Sequence, residues 1–228
     1  MSFFIAIDGL DGSGKHTQTS LLCQWLREQG REVCALSFPC YGKKSAIPAE
    51  MYLNGELGGK PEDTNAFAAS VLFSVDRYLS YRIDWKELAD RKDAVIVSDR
   101  YSTANAVHQL SKMPRSEWES FLSWLWDFEF QKLGLPKPDL VLYLEMPPSV
   151  SRKLIVSRSE ETGRKQDIHE MDFSHLEKSY AAALYAADAL GWDTIHCAEN
   201  GEPRSIPDIQ EEIRAHVASA LKNEDAIR

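Results

Sequence analysis

The sequence predicts an α/β fold, a parallel sheet of five strands with helices on both faces. Three observations predict it. Short apolar runs alternate with longer stretches patterned at helical spacing, the order that lays strands side by side and packs helices over them. The short runs are apolar almost throughout, as strands covered on both faces are. A glycine-rich segment, GLDGSGK, joins the first strand to the first helix. Strands are expected at residues 3–7, 32–37, 94–98, 140–144 and 194–197. Helices are expected at 15–29, 45–53, 64–90, 116–133, 148–158, 173–190 and 206–221. Leu21, Leu22, Trp25 and Leu26 recur at helical spacing and are assigned to the core. In such sheets ligands bind beyond the carboxyl ends of the strands.

At 228 residues, 43% of them hydrophobic, the chain can bury the core of one sizeable domain, taken as residues 1–228. It shows no repeat and no linker. The polar run 157–166, SRSEETGRKQ, is the one charged interruption, either a surface loop or a lid. A net charge of −9 argues against a nucleic-acid coat, because phosphate backbones reward a basic surface. No apolar run approaches the length of a membrane span, and the N-terminus lacks the pattern of a secretion signal, so the default expectation is cytoplasmic. The cysteines, Cys23, Cys34, Cys40 and Cys197, have neither CxxC spacing nor a histidine at zinc spacing and are expected to be reduced thiols.

Gly9, Leu10, Asp11, Gly12, Ser13, Gly14 and Lys15 follow a strand and open a helix. Glycines there let backbone N–H groups turn toward phosphate oxygens, the helix N-terminus adds partial positive charge, and Lys15 reaches the β/γ-phosphates. This is a P-loop, and the expected architecture is the three-layer P-loop NTPase fold. The motif ordinarily continues with a Ser or Thr that binds Mg²⁺; here His16 stands there, followed by Thr17. An imidazole is a poor ligand for that hard cation. Three readings stay open: Thr17 or an acidic residue compensates, the metal is held mainly by ATP and water, or His16 simply faces solvent. Farther on, Asp99 and Arg100 end a strand, placed to handle a metal and a phosphate or else to pair with each other.

The chain resembles thymidylate kinases. The resemblance rests on GLDGSGK, on Phe38-Pro39, on Leu72-Phe73-Ser74-Val75-Asp76-Arg77, on Asp99-Arg100-Tyr101 through Asn105, and on Asp167-Ile168-His169-Glu170, which occur in family order over nearly the whole chain. It implies a kinase with ATP as donor, dTMP as acceptor and Mg²⁺ as cofactor, a short lid at about residues 157–170, and a homodimer. Phe73 is expected to stack on thymine, Arg77 and Asn105 to read the base, and Arg100 to hold the acceptor phosphate. Phe38, Tyr41, His108, His169 and Glu170 complete the acceptor side. Asp11, Asp99 and Glu170 are the expected metal ligands, and Lys15, Asp11, Arg100 and a lid arginine the catalytic set. Some family members carry a catalytic arginine inside the P-loop. Gly12 occupies that place here, so Arg164 is expected to reach the moving phosphoryl group, with Arg158 near ATP.

The chain departs from the family pattern in its Phe-Pro loop, where Cys40 and Tyr41 stand in place of arginine. His108 and His169 stand where relatives often have tyrosine, and a histidine titrates near neutral pH, so acceptor binding is expected to depend on pH. Two alternatives remain: a kinase of another (deoxy)nucleotide or a deoxynucleoside, and a non-catalytic nucleotide sensor of the same fold. Trp124, Trp126 and Phe128 belong either to the core or to an interface.

Overall fold

A computed structural model of the chain describes residues 2–162 and 168–227. Parallel strands β1 (Phe3–Gly9), β2 (Glu32–Ser37), β3 (Ala94–Asp99), β4 (Leu140–Glu145) and β5 (Asp193–His196) form one sheet in the order β2-β3-β1-β4-β5. A small antiparallel pair, β6 (Ala198–Glu199) and β7 (Glu202–Pro203), follows β5. The helices are α1 (Lys15–Glu28), α2 (Ile47–Leu53), α3 (Ala66–Ser80), α4 (Lys86–Ala89), α5 (Ser102–His108), α6 (Trp118–Trp126), α7 (Pro148–Thr162), α8 (Ile168–Met171), α9 (Phe173–Leu190) and α10 (Ile206–Ile227). The five-stranded parallel sheet expected from the sequence is therefore present, and no helix among the described residues is long and apolar enough to cross a membrane.

Alternation of side chains along the strands divides the core. Phe3, Ile5 and Ile7 of β1 join Val95, Val97, Leu142 and Leu144 on one face, beneath Leu22 and Leu26 of α1 and Ile209, Ile213 and Val217 of α10. Phe4, Ala6 and Ile96 face the other way, against Phe38, Trp85 and Tyr101. Farther along that side, α5, α6 and α9 pack through Ala106, Val107, Phe121, Leu125, Ala183 and Ala186. The strand order puts β1 between β3 and β4, and the chain leaving β3 crosses β1 to reach β4. The crevice beyond these carboxyl ends is a topological switch point, where α/β sheets bind ligands.

Several boundaries differ from expectation. The helix expected over 64–90 contains a π-helical turn at Tyr81–Trp85, and that over 116–133 another at Asp127–Lys132. Each turn carries one residue to the interior, Trp85 in the first and Glu129 in the second. The polar segment from residue 157 does not interrupt the preceding helix, because α7 continues to Thr162. Helix α5 was not expected. It is short, it follows Tyr101 without a capping side chain, and its polar residues are buried, so it carries no amphipathic period.

Helix α3 has the expected apolar period turned outward. Its buried residues are Ala66, Ala69, Ser70, Ser74, Asp76, Arg77 and Ser80, whereas Phe67, Val71, Val75 and Leu79 lie on the surface at four-residue spacing. Asp76 explains part of the inversion, accepting from the Cys40 backbone N–H at 2.7 Å and the Ser45 hydroxyl at 2.6 Å, and so tying the loop after β2 to the helix. Trp85 meets Phe4, Tyr81 and Tyr101 within ring-contact distance. Trp85→Ala is expected to cost about 3–5 kcal/mol of stability, read as a lower denaturant midpoint in a urea titration.

Candidate active site

The glycine-rich loop turns tightly at the end of β1. A Cβ on Gly9 would lie 2.6 Å from the Leu144 carbonyl oxygen, and one on Gly12 would lie 2.7 Å from that of Ser151. Gly12 also has φ +79°, which disfavours any larger residue. Helix α7 thus closes the position where an arginine was weighed from the sequence. Lys15, almost fully buried, donates to the Leu10 carbonyl at 2.7 Å and is held across the mouth of the loop. Burial, reinforced by Arg100, pulls its pKa down to about 8. Ser13 is buried beside it, and its hydroxyl has no partner among the described residues. Thr17 and His16 are exposed, and His16 Nδ1 lies 3.5 Å from Asp99 Oδ2. The solvent-facing reading of His16 therefore describes this structure.

Beyond β1 and β3 the charges interlock. Arg100 adopts φ +64°, an uncommon conformation for a long side chain. Its backbone N–H donates to Ile7 O at 2.9 Å, and its carbonyl accepts from the Ser98 hydroxyl. These bonds aim the guanidinium over the P-loop, where it donates to the Asp11 carboxylate and, at 3.0 Å, to His108 Nε2. Burial opposes the charge on Asp11, but Arg100 and Lys15 hold its carboxyl well below the usual carboxylate range. Burial likewise opposes charge on Arg100, and Asp11, Asp8 and Asp99 outweigh it, keeping the guanidinium protonated.

Asp8 was not singled out from the sequence. It is fully buried, accepts from the Gly9 N–H at 2.8 Å and the Thr103 hydroxyl at 2.6 Å, and its pKa is pushed up by burial against the pull of Arg100. A lone acid inside an otherwise apolar strand was the available signal.

Helices α3 and α5 and the π turn after α6 form the opposite wall. Arg77, expected to read the base, is completely buried in a two-pronged ion pair with Glu129. Glu129 also accepts from the hydroxyls of Ser74, at 2.6 Å, and Ser102, and from Asn105 Nδ2 at 3.4 Å. A buried charge is tolerable only with this degree of pairing. Phe73 stands edge-on to Tyr52, with 5.8 Å between ring centres. Phe38 packs on Tyr101, and Tyr41 is exposed. Phe38, Tyr41, Phe73, Arg77 and Tyr101 face one cavity of about 890 Å³, which the P-loop, Arg100, Asn105 and His169 also line, together with Pro203, Arg204 and Ile206, which sequence reasoning passed over.

The neutral-pH titration expected of His108 and His169 does not fit their surroundings. Both are buried, and burial pushes both pKa values well below the ordinary histidine range, aided by Arg100 at His108 and by His108 at His169. They remain neutral through neutral pH. Arg164 lies outside the described residues; Arg158 falls in α7 and Glu170 in α8, but their side chains are not among those described.

A P-loop at a sheet switch point, facing a second wall of aromatic and amide groups across one cavity, defines a nucleotide-binding phosphotransferase. A family model described as thymidylate kinase matches residues 7–202. The chain is 32% identical over 191 residues to thymidylate kinase from Mycobacterium tuberculosis, covering 82% of this chain and 86% of that protein. It is 28% identical over 220 residues to a putative thymidylate kinase from Aeropyrum pernix, covering 95% and 96%. A probable thymidylate kinase from Thermococcus gammatolerans is 28% identical over 165 residues, 71% and 74% of the two chains. The chain belongs to the thymidylate kinase family, and its reaction is ATP-dependent phosphoryl transfer.

Glu129→Gln keeps the shape of the side chain but leaves Arg77 without its countercharge. It is expected to destabilise the fold by about 3–5 kcal/mol, measured by chemical denaturation.

Proposed function

We propose that this protein transfers the γ-phosphoryl group of ATP to dTMP, giving dTDP and ADP. The observation that carries the reading is the single cavity lined by both Lys15 of the P-loop and the Phe73–Arg77–Asn105 wall, with Arg100 lining it as well. Phosphoryl transfer asks a protein mainly to align two nucleotides and follow the moving charge with cations.

In this reading the loop from Gly9 to Lys15 holds the ATP phosphates, with Lys15 released from Leu10 O to meet them. Phe73 stacks on thymine. Glu129 clamps the Nε edge of Arg77, and Nη1, whose bond to Tyr101 O is long at 3.4 Å, donates to a base carbonyl. Asn105 completes base reading with its amide. Arg100 exchanges Asp11 and His108 for the acceptor phosphate, and Phe38, Tyr41, His108, His169 and Glu170 border the acceptor sugar and phosphate. Pro203, Arg204 and Ile206 flank the adenine. The donor set suits Mg²⁺: Asp99 Oδ2 is engaged by a 3.5 Å contact with the exposed His16, and Asp11 offers a second hard oxygen, with Glu170 joining from the lid. When bound, Mg²⁺ neutralises phosphate charge. Gly12 leaves the P-loop without the arginine that some family members carry there, so Arg164 supplies that cation from the lid.

The inverted face of α3 supports a homodimer. Phe67, Val71, Val75 and Leu79 form an exposed apolar stripe, bordered by Trp124, whose ring centre is 4.7 Å from that of Phe67. An apolar stripe on the surface marks an interaction face. The Trp124 and Phe128 rings stack at 5.3 Å and are partly buried, and Trp124 and Trp126 also pack against the core of α5, α6 and α9.

A coupled ADP-release assay across nucleosides and monophosphates is expected to give turnover with dTMP as the preferred acceptor; turnover with nucleosides alone, or none at all, overturns the reading. kcat/KM is expected to be level across neutral pH and to fall above about pH 8, where free Lys15 loses its proton and with it the charge that grips phosphate. Arg164→Ala is expected to lower kcat by about 100-fold or more with little change in KM for dTMP. Val75→Arg is expected to convert a dimer to a folded monomer in sedimentation analysis, and a wild-type monomer at micromolar concentration contradicts the interface.

A further inference from the structure

At the edge of the cavity, where His108 and His169 line it, three histidines meet in the interior. His108 ends α5, His169 lies in α8 and His175 stands in the first turn of α9. All are buried, and one ring nitrogen from each lies within 4.8 Å of the others. The His108 and His169 rings stack 5.0 Å apart, and those of His169 and His175 4.6 Å apart. Among the described residues, Nδ1 of His108 and Nδ1 of His175 are buried without hydrogen-bond partners. Interior polar atoms are ordinarily satisfied, and an orphaned pair within one cluster of imidazoles points to a missing ligand.

We infer that His108, His169 and His175 form a binding site for a first-row transition-metal ion such as Zn²⁺, separate from the Mg²⁺ that accompanies ATP. The chemistry selects the metal. Imidazole nitrogen suits Zn²⁺, Co²⁺ and Ni²⁺ and is a poor match for Mg²⁺ or Ca²⁺. Zn–N bonds of about 2.0–2.1 Å in a tetrahedral site bring ligand nitrogens to about 3.4 Å from one another. The rings therefore need to draw together by about 1–1.5 Å, a movement that rotation about their side-chain bonds can supply. Three protein ligands leave a fourth position for water or a ligand, as in open zinc sites.

Metal binding has a fixed consequence for Arg100. Arginine can only donate, so His108 Nε2 must accept the 3.0 Å hydrogen bond between them. Metal on Nε2 takes that lone pair, whereas metal on Nδ1 leaves the ring proton on Nε2, facing a donor. Either way the Arg100–His108 bond is lost. His169 also shares a 2.9 Å contact with the Tyr52 hydroxyl, so the ion would tie α8 to α5 and α9.

The test uses the nucleotide-free full chain. Co²⁺ titration is expected to give visible d–d bands of a four-coordinate ion saturating at one equivalent, displaced by Zn²⁺, and without thiolate charge transfer. Long-range ¹H–¹⁵N spectra of the wild-type imidazoles are expected to show Zn²⁺ shifting the three buried rings and leaving His16, His196 and His216 in place. His175→Gln, outside the cavity lining, is expected to weaken Co²⁺ binding by about 100-fold or more. Absence of the bands, thiolate charge transfer, shifts confined to the three surface histidines, or unchanged affinity in a folded His175→Gln protein each overturn the site. The wild-type spectra decide the matter alone if that variant fails to fold.

Discussion

The pairing of Asp11 with Arg100 is the interaction on which the rest of the site depends. One residue comes from the loop after β1 and the other from the end of β3, neighbouring strands whose register places Ile7 beside Asp99. Arg100 reaches Asp11 only because its backbone takes a left-handed turn, fixed by Ile7 O and Ser98 Oγ. That turn concentrates Asp8, Asp11, Asp99, Lys15 and Arg100 in one crevice of a protein whose overall charge is negative. A nucleotide entering such a crevice meets cations already desolvated and aimed, which makes their field strong where charge moves.

The acceptor wall obeys the same constraint in a drier setting. Arg77 can stay charged at full burial because Glu129 meets it with both oxygens, and Ser74, Ser102 and Asn105 occupy the remaining acceptor positions of that carboxylate. This network requires α3 to turn its small and polar residues inward. Its apolar residues are then left outside, so the same inversion that builds the base site creates the exposed stripe. Site and proposed interface are two faces of one helix.

Much of this was legible in the sequence. The strands, the P-loop with its lysine and the residues Phe73, Arg77, Arg100 and Asn105 could be named before any coordinates, and all of these site residues line one cavity. What could not be read was engagement. Arg77 could be named as a base reader but not as half of a buried ion pair, because its partner Glu129 lies 52 residues away inside a π turn that leaves no mark on apolar periodicity. His108 and His169 looked like neutral-pH switches, because titration range is set by burial and not by residue type.

The sequence by itself determined the fold class, the phosphate grip and the family, since these rest on local patterns: apolar period, glycine placement and the order of short motifs. Tertiary structure alone decided which charges pair, which face of α3 is buried, that Gly12 is closed off by α7, and that three histidines from separate helices share one interior space. Those outcomes depend on contacts between residues far apart in the chain, and the energy of a buried charge or an imidazole is fixed by what the fold brings against it.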